Sequence, residues 1–172
     1  RIAEGKQMLQ TFEQRRQERE ELAPLKRMAG ESGEDMSSNA KLEAWLQIAQ
    51  LELKRENWSA AETAFRQSIA LADHNPENNQ HDYIIMLARE SLAKIYVQKS
   101  EYDQAESIYQ SLLQINDQQA KHWNNLGYTQ VMQRKFEQAK KSFQVAIQID
   151  PNNTSFRLNL SKVERRINDA LD

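Results

Sequence analysis

The hydrophobic positions between residues 45 and 143 recur in three segments with one fixed spacing. In each segment an aliphatic residue directly precedes a small one. Counted from the small residue, an aromatic residue follows at nine positions, an alanine at twelve and a second aromatic residue at sixteen. Because glycine and alanine let two backbones approach closely, this spacing predicts two helices packed across a short turn. The three sets are Ile48, Ala49, Trp58, Ala61 and Phe65; Leu92, Ala93, Tyr102, Ala105 and Tyr109; Leu126, Gly127, Phe136, Ala139 and Phe143.

Each predicted helix pair leaves an apolar face that only a neighbouring pair can bury, so we expect the pairs to stack. Glycine and proline, which are common in the turns between β-strands, occur only 4 and 3 times, whereas helix-forming residues are abundant. The fold class predicted from these observations is all-α.

The pattern resembles the tetratricopeptide repeat, a helix pair with a period of about 34 residues. The resemblance implies a right-handed superhelical solenoid of antiparallel helix pairs, with repeats at 42–75, 86–119 and 120–153 and a polar insertion near 74–85. The third repeat departs from the family at Gln130, where a tyrosine is usual. Its matching residues are Trp123, Leu126, Gly127, Phe136, Ala139, Phe143, Ala146 and Pro151.

Residues 154–172 are predicted to form an amphipathic helix after the third repeat. Such a helix would cover the open apolar end of that repeat, as a terminal cap must in a stack. Its apolar stripe consists of Phe156, Leu160, Val163, Ile167 and Leu171.

Residues 1–23 are predicted to form a helical arm before the repeats. Its polar second half excludes a long coiled coil, and Pro24 is expected to end or kink the helix. Residues 24–41, rich in glycine, serine and acids, indicate a flexible linker. The arm is either a solvated helix on a tether or a segment for docking or self-association. The apolar residues available for that second role are Ile2, Met8, Leu9 and Phe12.

Composition and charge narrow the classes of function. The 172 residues include 23 Lys and Arg against 25 Asp and Glu, so a net charge of −2 provides no bulk field that attracts nucleic acid or an anionic membrane. No apolar run reaches the roughly 18 residues that span a bilayer. The absence of cysteine excludes disulfides and thiolate chemistry. Since the first residue is Arg1, we expect a fragment or a processed product, with cytoplasmic and periplasmic locations both open.

Residues that could support catalysis or a bound metal are sparse. His74 and His81 lie in the polar insertion at a spacing that fits no two-histidine metal motif, so we interpret this segment as a hydrated loop. His122 is expected at the surface or against a partner. The isolated glycines exclude a phosphate-binding loop. The sequence therefore predicts no enzyme, no cofactor and no metal site.

In the tetratricopeptide family the first helix of each pair lines a concave groove. The resemblance therefore implies a non-catalytic adaptor or scaffold that binds a peptide segment or a partner protein, with the amides contacting a peptide backbone and the apolar residues seating side chains. The alternative is a self-associating structural subunit that uses the arm. The predicted groove residues are Leu46, Gln50, Lys54, Glu90, Lys94, Val97, Lys121, Asn124, Asn125, Tyr128, Met132, Asn159 and Lys162, together with Arg166.

Chaperone-binding members of this family hold the C-terminal carboxylate of a partner with five side chains. The resemblance would place this clamp at five positions of the chain, and only Lys121 is the residue that the clamp uses. We therefore expect a peptide that ends in Glu-Glu-Val-Asp to bind no better than a scrambled peptide. The five positions are Leu46, Gln50, Ser91, Lys121 and Asn125.

Overall fold

The computed structural model of the chain describes residues 2–31, 36–73 and 79–169, and every regular element in these ranges is helical. The all-α prediction is therefore confirmed. The chain divides into two compact units, Arg1–Ile85 and Met86–Asp172.

The first unit begins with the arm. Helix α1 spans Ile2–Lys26, and one π-helical turn, Arg27–Glu31, follows it. The predicted boundary at Pro24 is wrong, because the helix runs past this residue and is interrupted at Gly30, whose φ is 95°. A proline near the end of a helix disturbs only one hydrogen bond and one carbonyl of the turn before it, whereas a left-handed residue ends regular helical bonding.

The helix pair of the first unit consists of α2, Ser38–Lys54, and α3, Trp58–Asp73. The Ser37 hydroxyl accepts a hydrogen bond from the N–H of Ala40 at 3.3 Å and so caps α2. The predicted linker at 24–41 is therefore too long at both ends, although its residues 32–35 lie outside the described ranges.

The second unit contains the rest of the helices. Helix α4 begins in the first unit and enters the second, so part of the predicted insertion is helical; residues 74–78 lie outside the described ranges. The capping helix α8 buries Phe156 and Val163, and Val163 packs with Ala139 and Phe143. The helices are α4, Asn79–Gln98; α5, Tyr102–Ile115; α6, Ala120–Met132; α7, Phe136–Ile149; and α8, Thr154–Asn168.

The small residues that the spacing places at helix contacts are buried, as predicted. The five alanines at these positions have no exposed surface, and Gly127 is buried as well. The atoms nearest to Gly127 belong to Phe143, since a Cβ on this glycine would lie 2.8 Å from Cε1 of that ring. The glycine therefore makes room for an aromatic ring. The five alanines are Ala49, Ala61, Ala93, Ala105 and Ala139.

All three helix pairs turn through the same backbone conformation. Glu56, Ser100 and Arg134 have positive φ angles of 58°, 62° and 62°. Each donates its N–H to the carbonyl three residues earlier, and the following residue donates to the carbonyl five residues earlier. These two bonds define a Schellman motif, in which glycine is the usual left-handed residue. The sequence did not predict these turns, since none of the three residues is glycine.

Replacing Arg134 with glycine is expected to raise the free energy of unfolding by about 0.5–1 kcal/mol. A left-handed conformation costs a residue with a side chain about 1–2 kcal/mol, and the greater freedom of unfolded glycine cancels part of the gain. Urea denaturation measures the change. Lys141, which is exposed inside α7, offers the control, because its replacement by glycine should cost about 1 kcal/mol. An Arg134→Gly variant no more stable than the wild type would contradict this account.

A buried polar network joins α5, α6 and α7. Gln130 donates from Nε2 to Oε1 of Glu106 at 3.2 Å and accepts from the Ser142 hydroxyl at 2.8 Å. The ammonium group of Lys135 lies 2.6 Å from the other oxygen of Glu106. Burial raises the pKa of Glu106, but hydrogen bonds from Lys135 and two glutamines outweigh it and hold the pKa below 4.5. These bonds explain why a glutamine at position 130 is tolerated where the family has tyrosine.

Replacing Glu106 with glutamine is expected to lower the free energy of unfolding by about 1–2 kcal/mol at about pH 7 and by less at about pH 3.5. Because the folded pKa lies below the unfolded one, the ionised carboxylate stabilises the fold above the unfolded pKa. This contribution is lost as the pH falls through the folded pKa. The Lys135 side chain is 40% exposed, so solvent screening keeps the effect modest.

Urea denaturation at both pH values tests this expectation. The matched control is Glu137→Gln, since Glu137 is an exposed glutamate in the first turn of α7. A difference between the wild type and Glu106→Gln that is the same at both pH values would argue against the charged hydrogen bonds.

Candidate functional site

The predicted groove residues lie on α2, α4, α6 and α8, and every one of them has solvent-accessible surface. The exposed ones are Gln50, Lys54, Lys94, Lys121, Tyr128, Met132 and Lys162, and the half-buried ones are Leu46, Glu90, Val97, Asn124, Asn125 and Asn159.

Three asparagines form a hydrogen-bonded row from α8 to α6. Asn159 donates from Nδ2 to Oδ1 of Asn124 at 2.9 Å, and Asn124 donates from Nδ2 to Oδ1 of Asn125 at 3.4 Å. Asn125 lies beside the hydroxyl of Tyr109 on α5, and its amide partly offsets the rise in the pKa of this hydroxyl. Burial and the nearby Glu90 carboxylate raise the pKa of Tyr109 well above 10, so this hydroxyl stays protonated. The asparagine row therefore holds α8 against α6, a structural role that the sequence did not predict.

A cavity of about 150 Å³ opens beside this row. This volume is several times the roughly 10–15 Å³ that one water molecule needs, so the cavity has room for a side chain. Its lining combines the apolar side chain of Val97 and two tyrosine rings with amide and ammonium groups, so it can contact both apolar and polar parts of a ligand. The lining residues are Lys94, Val97 and Gln98 of α4, Tyr109 of α5, and Asn125 and Tyr128 of α6.

Glu90, one helical turn before Lys94, lies between two basic side chains. Its carboxylate is 2.7 Å from Nζ of Lys94 and 3.7 Å from Nε2 of His122. Burial raises the pKa of Glu90, but Lys94 and His122 outweigh it and hold the pKa below 4.5. The predicted surface position of His122 is wrong, because this residue is 4% exposed. The repeat register would have indicated burial, since the equivalent residues Ala88 and Phe156 are buried as well.

In the first unit, the C-terminal half of α1 is anchored on α2. Arg55 donates from Nη2 to Oε2 of Glu21 at 2.7 Å. A cavity of about 340 Å³ lies between these helices, and Lys54 is one of its lining residues. Lys54 therefore faces the arm. Because the C-terminal half of α1 contacts α2, this half is not a solvated helix on a tether, which was one of the two interpretations of the sequence.

The other half of α1 presents an apolar patch. Met8, Leu9 and Phe12 are 75%, 59% and 64% exposed. Met8 and Phe12 border an open hollow of about 590 Å³ on this helix. The side chain of Ile2, the fourth predicted member, lies outside the described residues. The patch is the kind of surface that mediates association in other proteins.

The described ranges contain neither a metal site nor a membrane-spanning helix. No three His, Asp or Glu side chains there are placed to hold a metal ion. No helix in the same ranges combines the length and the apolar character that crossing a bilayer requires. His74 lies outside the described residues, as does the side chain of His81.

Comparison with known proteins gives the family of this helix-pair pattern. Profiles of the tetratricopeptide repeat match residues 88–121 and 120–153. The solved structure of the MamA RS-1 ArsTM double mutant aligns with a TM-score of 0.70 at 17% identity, over 95% of this chain and 85% of that chain. Residues 88–153 therefore form two tetratricopeptide repeats. The match at 120–153 coincides with the predicted third repeat. The match at 88–121 begins two residues after the predicted start of the second repeat.

Two further relatives place these tetratricopeptide repeats among known proteins. The first TPR of Spaghetti (RPAP3), bound to the HSP90 peptide SRMEEVD, aligns with a TM-score of 0.62 at 19% identity, over 76% of this chain and 95% of that one. Mouse Protein O-mannosyl-transferase TMTC3 is 28% identical over 85 residues, which are 49% of this chain and 9% of that protein. The chain thus spans less than a tenth of the length of the mouse relative.

Proposed function

We propose that this protein is a non-catalytic adaptor that binds an extended segment of a partner protein on one face of its second unit. We define this binding face by residues of three helices that the row of asparagines and the adjacent cavity bring together. Its residues are Lys94, Val97, Asn124, Asn125, Tyr128, Met132, Asn159 and Lys162.

The observation on which the proposal rests is the exposure of Tyr128, which lines that cavity, and of Met132, one turn further along α6. They are 47% and 41% exposed, and both follow Asn124 on the same side of α6, at four and eight residues. Aromatic and thioether side chains next to oriented amides suit a peptide, because the former contact its side chains and the latter its backbone.

Pre-organisation would supply much of the affinity. Asn124 is held on both sides by hydrogen bonds to Asn125 and Asn159, so little side-chain entropy is lost when a ligand binds. An amide has two donor hydrogens and an acceptor oxygen with two lone pairs, so these bonds leave capacity for a peptide backbone.

The peptide bound to the first TPR of Spaghetti supports a peptide ligand for this fold. It does not support the same mode of binding, since four of the five clamp positions differ here. Leu46 and Gln50 are two of these four. We therefore expect contacts along an extended segment instead of capture of a C-terminal carboxylate.

Replacing Tyr128 and Met132 together with serine is expected to weaken peptide binding at least about tenfold, which corresponds to the loss of about 1.4 kcal/mol. Peptides selected from a random phage-display library against the wild type serve as ligands, and fluorescence anisotropy measures their affinity. Ile115→Ser is the matched control, because Ile115 is an exposed apolar residue of the same unit, 65% exposed at the end of α5. Asparagine variants are unsuitable, since Asn124 and Asn159 form the hydrogen bond that joins α6 to α8.

The proposal fails if the library yields no binders, or if the Ile115→Ser variant loses as much affinity as the double variant. Thermal melts followed by circular dichroism should show both proteins folded, since exposed positions contribute little to stability.

The exposed patch on α1 favours a second candidate function, self-association of the chain. Met8 and Phe12 would pack against a second copy, and their replacement by serine would then convert an oligomer into a monomer. Size-exclusion chromatography with light scattering decides this point. A wild type that is monomeric at high concentration rejects the candidate.

A further inference from the structure

Basic residues gather on the two helices that form most of the binding face. Helices α6 and α8 contain five Lys and Arg residues and a single acid, Glu164, although the whole chain has a net charge of −2. Glu164 lies 3.7 Å from the ammonium group of Lys140 on α7. Its charge is therefore shared with another helix, and the surface of α6 and α8 is locally positive.

Two of these cations lie on the side of α8 that meets α6. Lys162 and Arg166 follow Asn159 by three and seven residues, a spacing that places all three on one side of a helix. The hydrogen bond from Asn159 to Asn124 brings this side next to α6. Tyr128 follows Asn124 by one turn, so the aromatic residue and the two cations lie on the sides of α6 and α8 that this hydrogen bond joins.

The two cations are available to a ligand. Lys162 and Arg166 are both exposed, and neither forms an ion pair with any carboxylate in the portion of the chain that the structure describes. Lys94, on the other side of the cavity, is paired with Glu90 at 2.7 Å. Charge complementarity selects partners and speeds association, so exposed cations beside an apolar site favour a ligand that has acids beside an apolar residue.

We infer that the binding face selects an internal acidic segment in which an apolar residue is flanked by Asp or Glu. The apolar side chain enters the cavity beside Tyr128, and the flanking carboxylates pair with Lys162 and Arg166. This inference rests on the proposed function and names its ligand. Because no clamp for a terminal carboxylate is needed, a segment in the middle of a partner chain suffices.

Synthetic peptides test this inference directly. The probe is a fluorescein-labelled, amidated peptide with the sequence Gly-Ser-Glu-Asp-Leu-Glu-Asp-Ser-Gly. One comparison peptide replaces the acids with Gln and Asn, another replaces Leu with Ser, and a third ends in a free Glu-Glu-Val-Asp. We expect both altered peptides to bind at least about tenfold more weakly than the probe and the Glu-Glu-Val-Asp peptide to have no advantage over it. Binding of the probe should weaken between about 50 mM and about 300 mM salt.

A pair of charge reversals locates the effect on the protein. Lys162→Glu should weaken binding of the probe at least about fivefold, because it places a like charge beside the ligand. Lys141→Glu makes the same chemical change at an exposed lysine of α7 and should stay within about twofold. Circular dichroism melts of both variants verify that each is folded.

Four results would overturn the inference: no binding of the probe, equal binding of the neutral peptide, equal losses for the two reversals, or tighter binding of single-stranded oligouridylate than of the probe. The proposed function can survive this failure. If library peptides without acids bind and depend on Tyr128 and Met132, the face binds peptides but does not select acidic ones.

Discussion

Replacing Phe143 with alanine is expected to lower the free energy of unfolding by about 3–5 kcal/mol. The ring is 1% exposed and packs with Ala139 and Val163 in the core that α7 shares with the capping helix. It also fills the space beside Gly127 on α6. Because the interior is close-packed and the helices cannot collapse fully, its removal leaves a cavity. Urea denaturation followed by circular dichroism measures the loss.

Leu158→Ala is the matched control, since Leu158 is 55% exposed on α8 and should change the free energy of unfolding by no more than about 0.5 kcal/mol. If Phe143→Ala cost no more than this control, the ring would not lie in the core described above.

Replacing Gly127 with valine is expected to lower the free energy of unfolding on the order of 1–3 kcal/mol through overpacking. A Cβ at this residue would lie 2.8, 2.9 and 3.0 Å from three ring carbons of Phe143, whereas carbon atoms in contact prefer about 3.5–4.0 Å. Helix propensity alone predicts a gain of a few tenths of a kcal/mol, because glycine is unfavourable inside a helix. The sign of the change therefore separates tertiary contact from local propensity.

A double-mutant cycle identifies the contact. In a Phe143→Leu background the ring carbons are absent, so Gly127→Val should cost at least about 1 kcal/mol less than in the wild type. If the costs of Gly127→Val and Phe143→Leu are additive, contact with this ring is not the reason for glycine at position 127.

Alignment of the repeats also predicts which polar residues are buried. Burial of His122 follows from the apolar residues at the equivalent positions, Ala88 and Phe156, once the three helices are aligned. The expectation of a surface histidine relied on the chemistry of the residue instead of its position. In repeat proteins the position decides burial, because each unit presents the same face to its neighbours.

The turns were not predictable to the same degree. Glu56, Ser100 and Arg134 adopt left-handed angles although none is glycine or asparagine, the residues that signal such a turn. Packing of the two helices imposes the conformation, and the strain is absorbed by contacts elsewhere in the pair. Similarly, the helix boundary near Pro24 depended on Gly30, which a proline-based rule overlooks.

The amino-acid pattern alone was enough for the helical class, the helix pairs, the buried alanines and the family. These features depend on the spacing of residues within a repeat of about 34 positions, which can be read directly from the sequence. Three-dimensional packing decided which side chains meet across helices: Phe143 beside Gly127, Glu106 beside Gln130, and Asn159 beside Asn124. Those pairings depend on how each helix is rotated and shifted against its neighbours, and a hydrophobic stripe constrains that rotation only within a broad face.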